Sequence, residues 1–407
     1  MDARIGAFFY PESNMKKALA TTLVALAGTL GATAHAQSSV TLYGTLDTGL
    51  DYVSNQKTAS GAGKSNWMME SGNLSTNRWG LRGNEDLGGG LSAVFDLENG
   101  FNVDNGKISN GGDLFGRQAW VGLSSKQWGT VTMGRQYDFM VDFVAPLSAT
   151  GSGFGGNIAD HPFDNDNLNN DMRLNNAVKF RSATYDGLSV GAAYAFSNAA
   201  GGFSNNNAYS LGAQWAGGPF NLAVAYLQIN QPGGVNTPTN TSGAASSSDG
   251  DAIFTGARQR TLGAAGRYMF GDATVGLVFT RTILNDPSQI TQGGAYSTLN
   301  GNLLTFNNYE LNARYALTRA LSVGGSYTFT DGHFSDDGKS VAPKWNQFML
   351  QTTYALSRRT DVYLQGVYQH VSGANGVAVL GNASIYSLAD SSNNKQAVVA
   401  IGMRHKF

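Results

Sequence analysis

Apolar and polar side chains alternate with a period of two in short runs from Val40 almost to the last residue, which restricts this chain to β-sheet. In the first run Val40, Leu42, Gly44, Leu46, Leu50 and Tyr52 stand on one face, and Thr41, Tyr43, Thr45, Asp47 and Asp51 on the other. The alternation returns in Ala273, Val275, Leu277 and Phe279, in Tyr309, Leu311, Ala313 and Tyr315, and in Val362, Leu364, Gly366 and Tyr368. Such a sheet faces two different solvents.

The connections between runs also alternate. Tight turns centre on residues 85–89, 125–129, 185–187, 216–219, 270–272, 317–320 and 357–360. Between them lie Asn-, Gly-, Ser- and Asp-rich stretches at roughly residues 55–76, 102–114, 137–174, 198–207, 231–260, 282–307, 331–346 and 371–396. Seven hairpins plus a first and a last strand give about sixteen antiparallel strands, an even number in the range of bacterial outer-membrane barrels. A soluble sandwich would bury its oily face against a second sheet and would rarely sort all short turns to one end and all long loops to the other. Lipid demands that every backbone group be paired, and a closed barrel is the sheet that complies. The expectation is therefore an all-β, sixteen-stranded antiparallel transmembrane β-barrel, wide enough at that strand number for an aqueous channel, which accounts for a polar inward face.

Composition narrows the function. With 14% charged residues and a formal net charge of -1, the chain offers no basic surface for nucleic acid. The absence of cysteine removes thiolate metal sites, disulfides and thiol nucleophiles. Outside the N-terminus no apolar run reaches the roughly 18 residues of a membrane helix. At the N-terminus, Met15-Lys16-Lys17 leads into a small and apolar stretch and then Ala34-His35-Ala36, the pattern of a secretory signal peptide cleaved after residue 36. Residues 1–36 are read as that peptide, with Met15 as the expected true start, and residues 37–407 as the barrel. Aromatics near strand ends, namely Tyr43, Trp79, Trp120, Tyr194, Trp215, Tyr226, Tyr268, Tyr327 and Tyr354, are candidates for interface girdles.

Two chemical patterns fail in context. Gly151-Ser152-Gly153-Phe154-Gly155-Gly156 fits G-x-G-x-x-G, but it lies well beyond the preceding strand and no helical pattern follows, so it reads as flexible loop and not as a nucleotide site. His161, His333, His370 and His405 are scattered without metal-ligand spacing or a serine elbow, so no catalysis, metal or cofactor is expected.

Several segments resemble the Gram-negative general-diffusion porins of beta-proteobacterial type. They are Ser39-Val40-Thr41-Leu42-Tyr43-Gly44, Arg78-Trp79-Gly80-Leu81-Arg82-Gly83 followed by Glu85-Asp86-Leu87-Gly88, Gly116-Arg117-Gln118-Ala119-Trp120-Val121-Gly122-Leu123, Gly134-Arg135-Gln136-Tyr137, Tyr354-Ala355-Leu356-Ser357-Arg358-Arg359-Thr360, and the ending Gly402-Met403-Arg404-His405-Lys406-Phe407. The resemblance implies a homotrimer of barrels in the outer membrane, with short periplasmic turns, long extracellular loops and the third loop folded into each lumen. It also implies contact with outer-membrane lipid and lipopolysaccharide, passage of small hydrophilic solutes and ions, and a C-terminal Phe407 read by the outer-membrane assembly machinery. A substrate-specific channel and a structural or adhesive barrel are the alternatives.

A pore works by sieving size and biasing ions with fixed charge at its narrowest point. Parity sets Arg78 and Arg82 opposite Trp79 and Leu81, and Arg173, Lys179 and Arg181 opposite Leu174, Val178 and Phe180, so these cations point into water. The resemblance adds Arg117, and matches its inward arginine cluster to Arg78, Arg117 and Arg173. Arg135 is a weaker candidate because Val131 and Met133 share its parity. The third loop carries Asp138, Asp142, Asp160, Asp164, Asp166 and Asp171. Those that reach the lumen, with Asp138, Asp142 and Asp160 as first candidates, would set a transverse field against the basic wall. The residue types alone fit either ion selectivity.

Overall fold

The computed structural model describes residues 38–233, 243–246, 250–292, 295–386 and 388–407. The expected signal peptide and the Met15 start lie outside the described residues.

The first strand, Ser39–Lys57, pairs antiparallel with the last, Lys395–Lys406, in a register running from Thr45 opposite Lys406 to Val53 opposite Val398. On its other edge it pairs with Gly63–Ser71 along one half and with Arg78–Gly88 along the other. Those two segments are one barrel strand interrupted at residues 72–77. Counted so, the sheet is a closed ring of sixteen antiparallel strands, each bonded to its sequence neighbours. Closure removes both sheet edges, which a bilayer requires.

The seven tight turns fall where the sequence puts them. In the turn after Leu174–Ser182, Asp186 and Gly187 have φ of 47° and 84°, and Tyr185 and Leu188 exchange both backbone hydrogen bonds at 2.9 and 2.8 Å. Positive φ at both central residues defines a type I′ hairpin, whose twist matches that of the strands. The opposite end differs from expectation in detail. Strands reach further into the stretches assigned to loops, so residues 55–76 form a hairpin with a short inward excursion at 72–77, and residues 331–346 carry the added strand Lys339–Val341. Phe254–Thr255, Gln289–Gln292 and Ala295–Thr298 form a small separate sheet among the loops.

The outer wall is apolar, with Leu42, Leu50, Val121, Leu123, Leu211, Leu277, Leu311, Leu350, Leu364 and Ile401 all exposed. Seven of the nine candidate girdle aromatics share that face. Tyr43 and Trp120 do not: Tyr43 donates to Asp96 at 2.6 Å, and Trp120, paired across the strands with Asp96, donates to Gln118 at 3.0 Å. Each has found a polar partner inside, where a buried tyrosine or indole needs one.

The inward face departs from uniform polarity on one side. Across Leu188–Ala195, Ala208–Gly217, Phe220–Asn230 and Arg258–Phe270 the lumen side is lined by Gly191, Ala193, Ala195, Ala208, Gly212, Ala223, Ala225, Gly263 and Ala265. Residues 137–173 fold onto it. Phe139, Met140, Phe143 and Val144 sit fully buried in this socket, with Phe139 and Phe143 ring centroids 4.8 Å apart. A Cβ on Gly191 would fall 2.1 Å from the Phe139 ring, one on Gly212 2.7 Å from Phe143, and one on Gly263 2.6 Å from the Met140 methyl. The small side chains are thus the imprint of an inserted loop, and burying four large apolar residues there contributes roughly 1.5–3 kcal/mol each.

Candidate functional site

Polar inward residues of the later strands hold the rest of the loop. Glu310 accepts from the Ala149 N–H at 2.8 Å, from Asn312 at 2.6 Å, and lies 3.1 Å from His161 Nε2. Gln347 donates to the Asp160 carbonyl at 2.7 Å, and Gln351 accepts from the Gly155 N–H at 2.9 Å. Thr282 donates to the Asn165 carbonyl at 2.8 Å. On the other side, the Asn157 N–H donates to the Asn73 carbonyl at 2.8 Å, docking the loop on the excursion at 72–77. The loop is therefore apolar-anchored on one wall and hydrogen-bonded to two others.

Between the loop and the remaining wall lies a cavity of about 570 Å³. Arg78, Arg82, Arg117, Arg404 and Lys406 border it, with one carboxylate, Glu98. Glu98 is 2.7 Å from Arg117 and 3.5 Å from Arg78, while Asp96 takes Arg82 at 2.9 Å and Asp361 takes Arg404 at 3.0 Å. The Arg82 guanidinium also lies 4.2 Å from the Tyr43 ring centroid, held by the ring's negative face. Arg117 and Arg173 converge on Asn170 Oδ1 at 3.1 and 3.2 Å, and Arg173 stacks 5.7 Å from the Tyr137 ring. Arg117 Nη1 is buried with no hydrogen-bond partner.

The sequence-derived candidates thus divide. Arg78, Arg82 and Arg117 border the cavity, and Arg173 stands next to Arg117. Arg135 is elsewhere: a register shift after Gly134 turns it out of the strand pattern, and its guanidinium makes a bidentate pair with Asp251 at 2.6 and 2.9 Å. The loop face toward the cavity carries Thr150, Gly151, Ser152, Gly153, Asn157, Asn169 and Asn170, without a carboxylate among the described residues. Asp138 is buried and accepts from the Met140 N–H at 2.6 Å and from Asn167 at 2.5 Å; burial pushes its carboxyl up to about 6. Asp142 is paired with Lys179 at 2.6 Å. Asp160 lies inside the loop, where burial, then Asp164, Asp171 and Asp166, push its carboxyl well above the ordinary range. The expected acidic face toward the cavity is absent among the described residues: Asp138 bonds within the loop, Asp142 pairs with Lys179 on the wall, and Asp160 is buried inside the loop.

His161, whose spacing suggests neither metal ligation nor catalysis, is fully buried with Nδ1 2.7 Å from Asp166 and Nε2 3.1 Å from Glu310. Burial opposes its protonation, but the two carboxylates outweigh burial and push the imidazole up to about 10. The glycine-rich run at 151–156 is loop, its first three residues lining the cavity, and Gly156, at φ 63°, leaves no room for a side chain, since a Cβ would sit 2.3 Å from Leu74 Cα. Arg404, Lys406 and Glu98 were not singled out, although parity signals them: Arg404 and Lys406 oppose Phe407 on the last strand, and Asp96 and Glu98 share one face of Leu91–Gly100.

A closed sixteen-stranded barrel with an apolar exterior and a charged cavity beside an inserted loop defines a channel of the outer-membrane class. The chain belongs to the Gram-negative porin family, whose model matches residues 20–374. An outer membrane porin of Bordetella pertussis is 32% identical over 426 aligned positions, covering 97% of this chain and all of the relative. Outer membrane porin protein 32 of Delftia acidovorans is 29% identical, again over 97% of this chain and the whole relative. Among solved structures, an anion-selective porin from Comamonas acidovorans superposes with a TM-score of 0.68 at 23% identity, covering 91% of this chain and all of that one. OmpT of Vibrio cholerae gives 0.62 at 15% identity, over 91% of this chain and 98% of that one. This protein is an outer-membrane diffusion channel.

Proposed function

We propose that the cavity bordered by Arg78, Arg82, Arg117, Arg404 and Lys406 is the constriction, and that it biases this passive channel for small hydrophilic solutes toward anions. The observation that carries the reading is the charge imbalance: five cationic side chains border the cavity, and Glu98 with Asp96 and Asp361, the carboxylates paired to them, leave an excess of positive charge. Screening extends over about 10 Å at 0.1 M salt, so fixed charges around so narrow a space act on an ion before bulk electrolyte shields them. Arg82, whose side chain stays 57% exposed beside Asp96, offers a permeating anion an accessible donor. Arg173, beside Arg117, extends the basic row; Arg135 and the three loop aspartates serve structure in this reading.

The working unit is a homotrimer, an arrangement that one OmpT structure of Vibrio cholerae is described as having. Lipopolysaccharide around the apolar wall and recognition of Phe407 by the assembly machinery complete the proposed partners. Planar-bilayer recording under a salt gradient tests the function. Conductance steps in threes with a reversal potential of anion-preferring sign are expected, and a cation-preferring potential would overturn the constriction reading.

A further inference from the structure

The third loop contains an acidic centre that the permeation pathway does not use. Asp160, Asp164 and Asp166 are buried, and each offers a carboxylate oxygen such that the three oxygens lie within 4.8 Å of one another. Their partners are unequal. Asp164 accepts backbone N–H groups from Asn169 at 2.9 Å and Asp171 at 3.0 Å, which fix its orientation. Asp166 commits Oδ2 to His161, Thr280 and Asn308, yet its Oδ1 has no partner. Both carboxylate oxygens of Asp160 are buried with no hydrogen-bond partner, although the residue is only 2% exposed. A buried carboxylate left without donors costs several kcal/mol, and one set against two others costs more unless a cation sits among them.

We propose that Asp160, Asp164 and Asp166 form a calcium site that fastens the third loop in its folded shape. All the donors are carboxylate oxygens, which suit a hard divalent cation and not a softer metal preferring nitrogen or sulfur. Hydration separates the two common candidates. Magnesium dehydrates reluctantly and keeps several waters, whereas calcium takes carboxylates directly in a flexible shell, so three buried carboxylates suit calcium. The bound ion would tie Asp160, whose backbone carbonyl is held by Gln347, to Asp166, which is held by nearby strands of the same wall through Thr280 and Asn308. It would thus act as a rivet between two anchor points of the loop, outside the lining of the cavity.

The test uses full-length mature protein folded in detergent from lipopolysaccharide-free material and stripped with chelator, with calcium chloride as the titrant in calorimetry. One saturable calcium per chain is expected. Asp160→Asn, which removes charge from a crowded site and so should fold, is expected to weaken uptake at least tenfold, and Asp160→Ser is the second variant should the amide disturb the loop. Asp104→Asn, on an exposed turn, is expected to bind like wild type. Calcium is also expected to raise the melting temperature of wild type and not that of Asp160→Asn. Absence of saturable uptake, equal uptake by folded Asp160 variants, or magnesium binding as tightly as calcium would each overturn the proposal.

Discussion

Phe407 and Gly44 exchange both backbone hydrogen bonds, Gly44 N–H to Phe407 O at 3.0 Å and Phe407 N–H to Gly44 O at 3.1 Å, so the last residue of the chain closes the barrel onto its first strand. The phenyl ring lies where a side chain on Gly44 would be: a Cβ there would fall 2.3 Å from the ring and 2.6 Å from the Arg78 carbonyl. Gly44→Ala must therefore move both the ring and a neighbouring strand. Overpacking of this kind costs about 1–3 kcal/mol, read as a lower urea midpoint for the detergent-folded protein. Removing Phe407 leaves Gly44 unpaired at the seam. We expect deletion to cut the surface level in cells several-fold while refolding in detergent continues, and equal surface levels would remove the residue from assembly.

How much of this was legible in the sequence follows from how local each signal is. The strand period, the seven turns and the closure of Ser39–Lys57 onto Lys395–Lys406 depend on alternation and turn chemistry, both readable within a few residues. Parity likewise turned Arg78 and Arg82 inward. It fails where a loop supplies the other partner. Gly191, Gly212 and Gly263 look like weak strand residues until Phe139, Phe143 and Met140, distant in sequence, are seen to fill the space they leave. Asp138 and Asp160 look like pore charges until the loop closes over them. Arg135 has a strand neighbourhood of unhelpful parity because its partner, Asp251, comes from residue 251 of a different loop.

Charge removal at the constriction should move selectivity in opposite directions for opposite signs. Arg78→Gln with Arg117→Gln takes two positive charges from the cavity and leaves Glu98 uncompensated. The reversal potential under a salt gradient should shift toward cations, with the anion-to-cation permeability ratio falling several-fold. Glu98→Gln should raise the ratio. An unchanged potential in the double variant would take both arginines out of the ion path.

The socket predicts an effect on conductance from a residue that borders no cavity water. Gly191→Val places atoms where the Phe139 ring sits, since even a Cβ falls 2.1 Å from it. The loop can only yield away from that wall, toward the basic residues opposite, so single-channel conductance should drop. Phe139→Ala in the Gly191→Val background restores room and should recover much of it. A conductance unaffected by Gly191→Val in a stably folded channel would mean that the loop does not rest in the socket.

Glu310 joins two loop groups, the Ala149 N–H and His161, to the wall, so its loss should be felt as loop motion. Glu310→Ala leaves the Ala149 N–H without its acceptor and His161 with one carboxylate in place of two. Breaking one side of a buried ion pair costs about 3–5 kcal/mol. We expect a lower melting temperature together with noisier, flickering open-channel current. Glu310→Gln keeps an acceptor for Ala149 and should fall between the two.

Asp138 gives the loop a pH dependence whose sign can be worked out. Burial raises its carboxyl from 3.8 to about 6, so the folded loop holds the proton more tightly than the unfolded chain. The stabilisation from that proton is complete below about 4 and is lost as pH rises through 6, a change on the order of 3 kcal/mol at 1.36 kcal/mol per unit. Urea midpoints measured in detergent should therefore fall between pH 4 and pH 6.5 by more in wild type than in Asp138→Asn, which cannot titrate. The variant is expected to be less stable at the acid end, because its amide faces the Asn167 amide donor where Asp138 accepts a hydrogen bond at 2.5 Å. Parallel pH profiles for the two proteins would show that Asp138 titrates alike in the folded and unfolded chain.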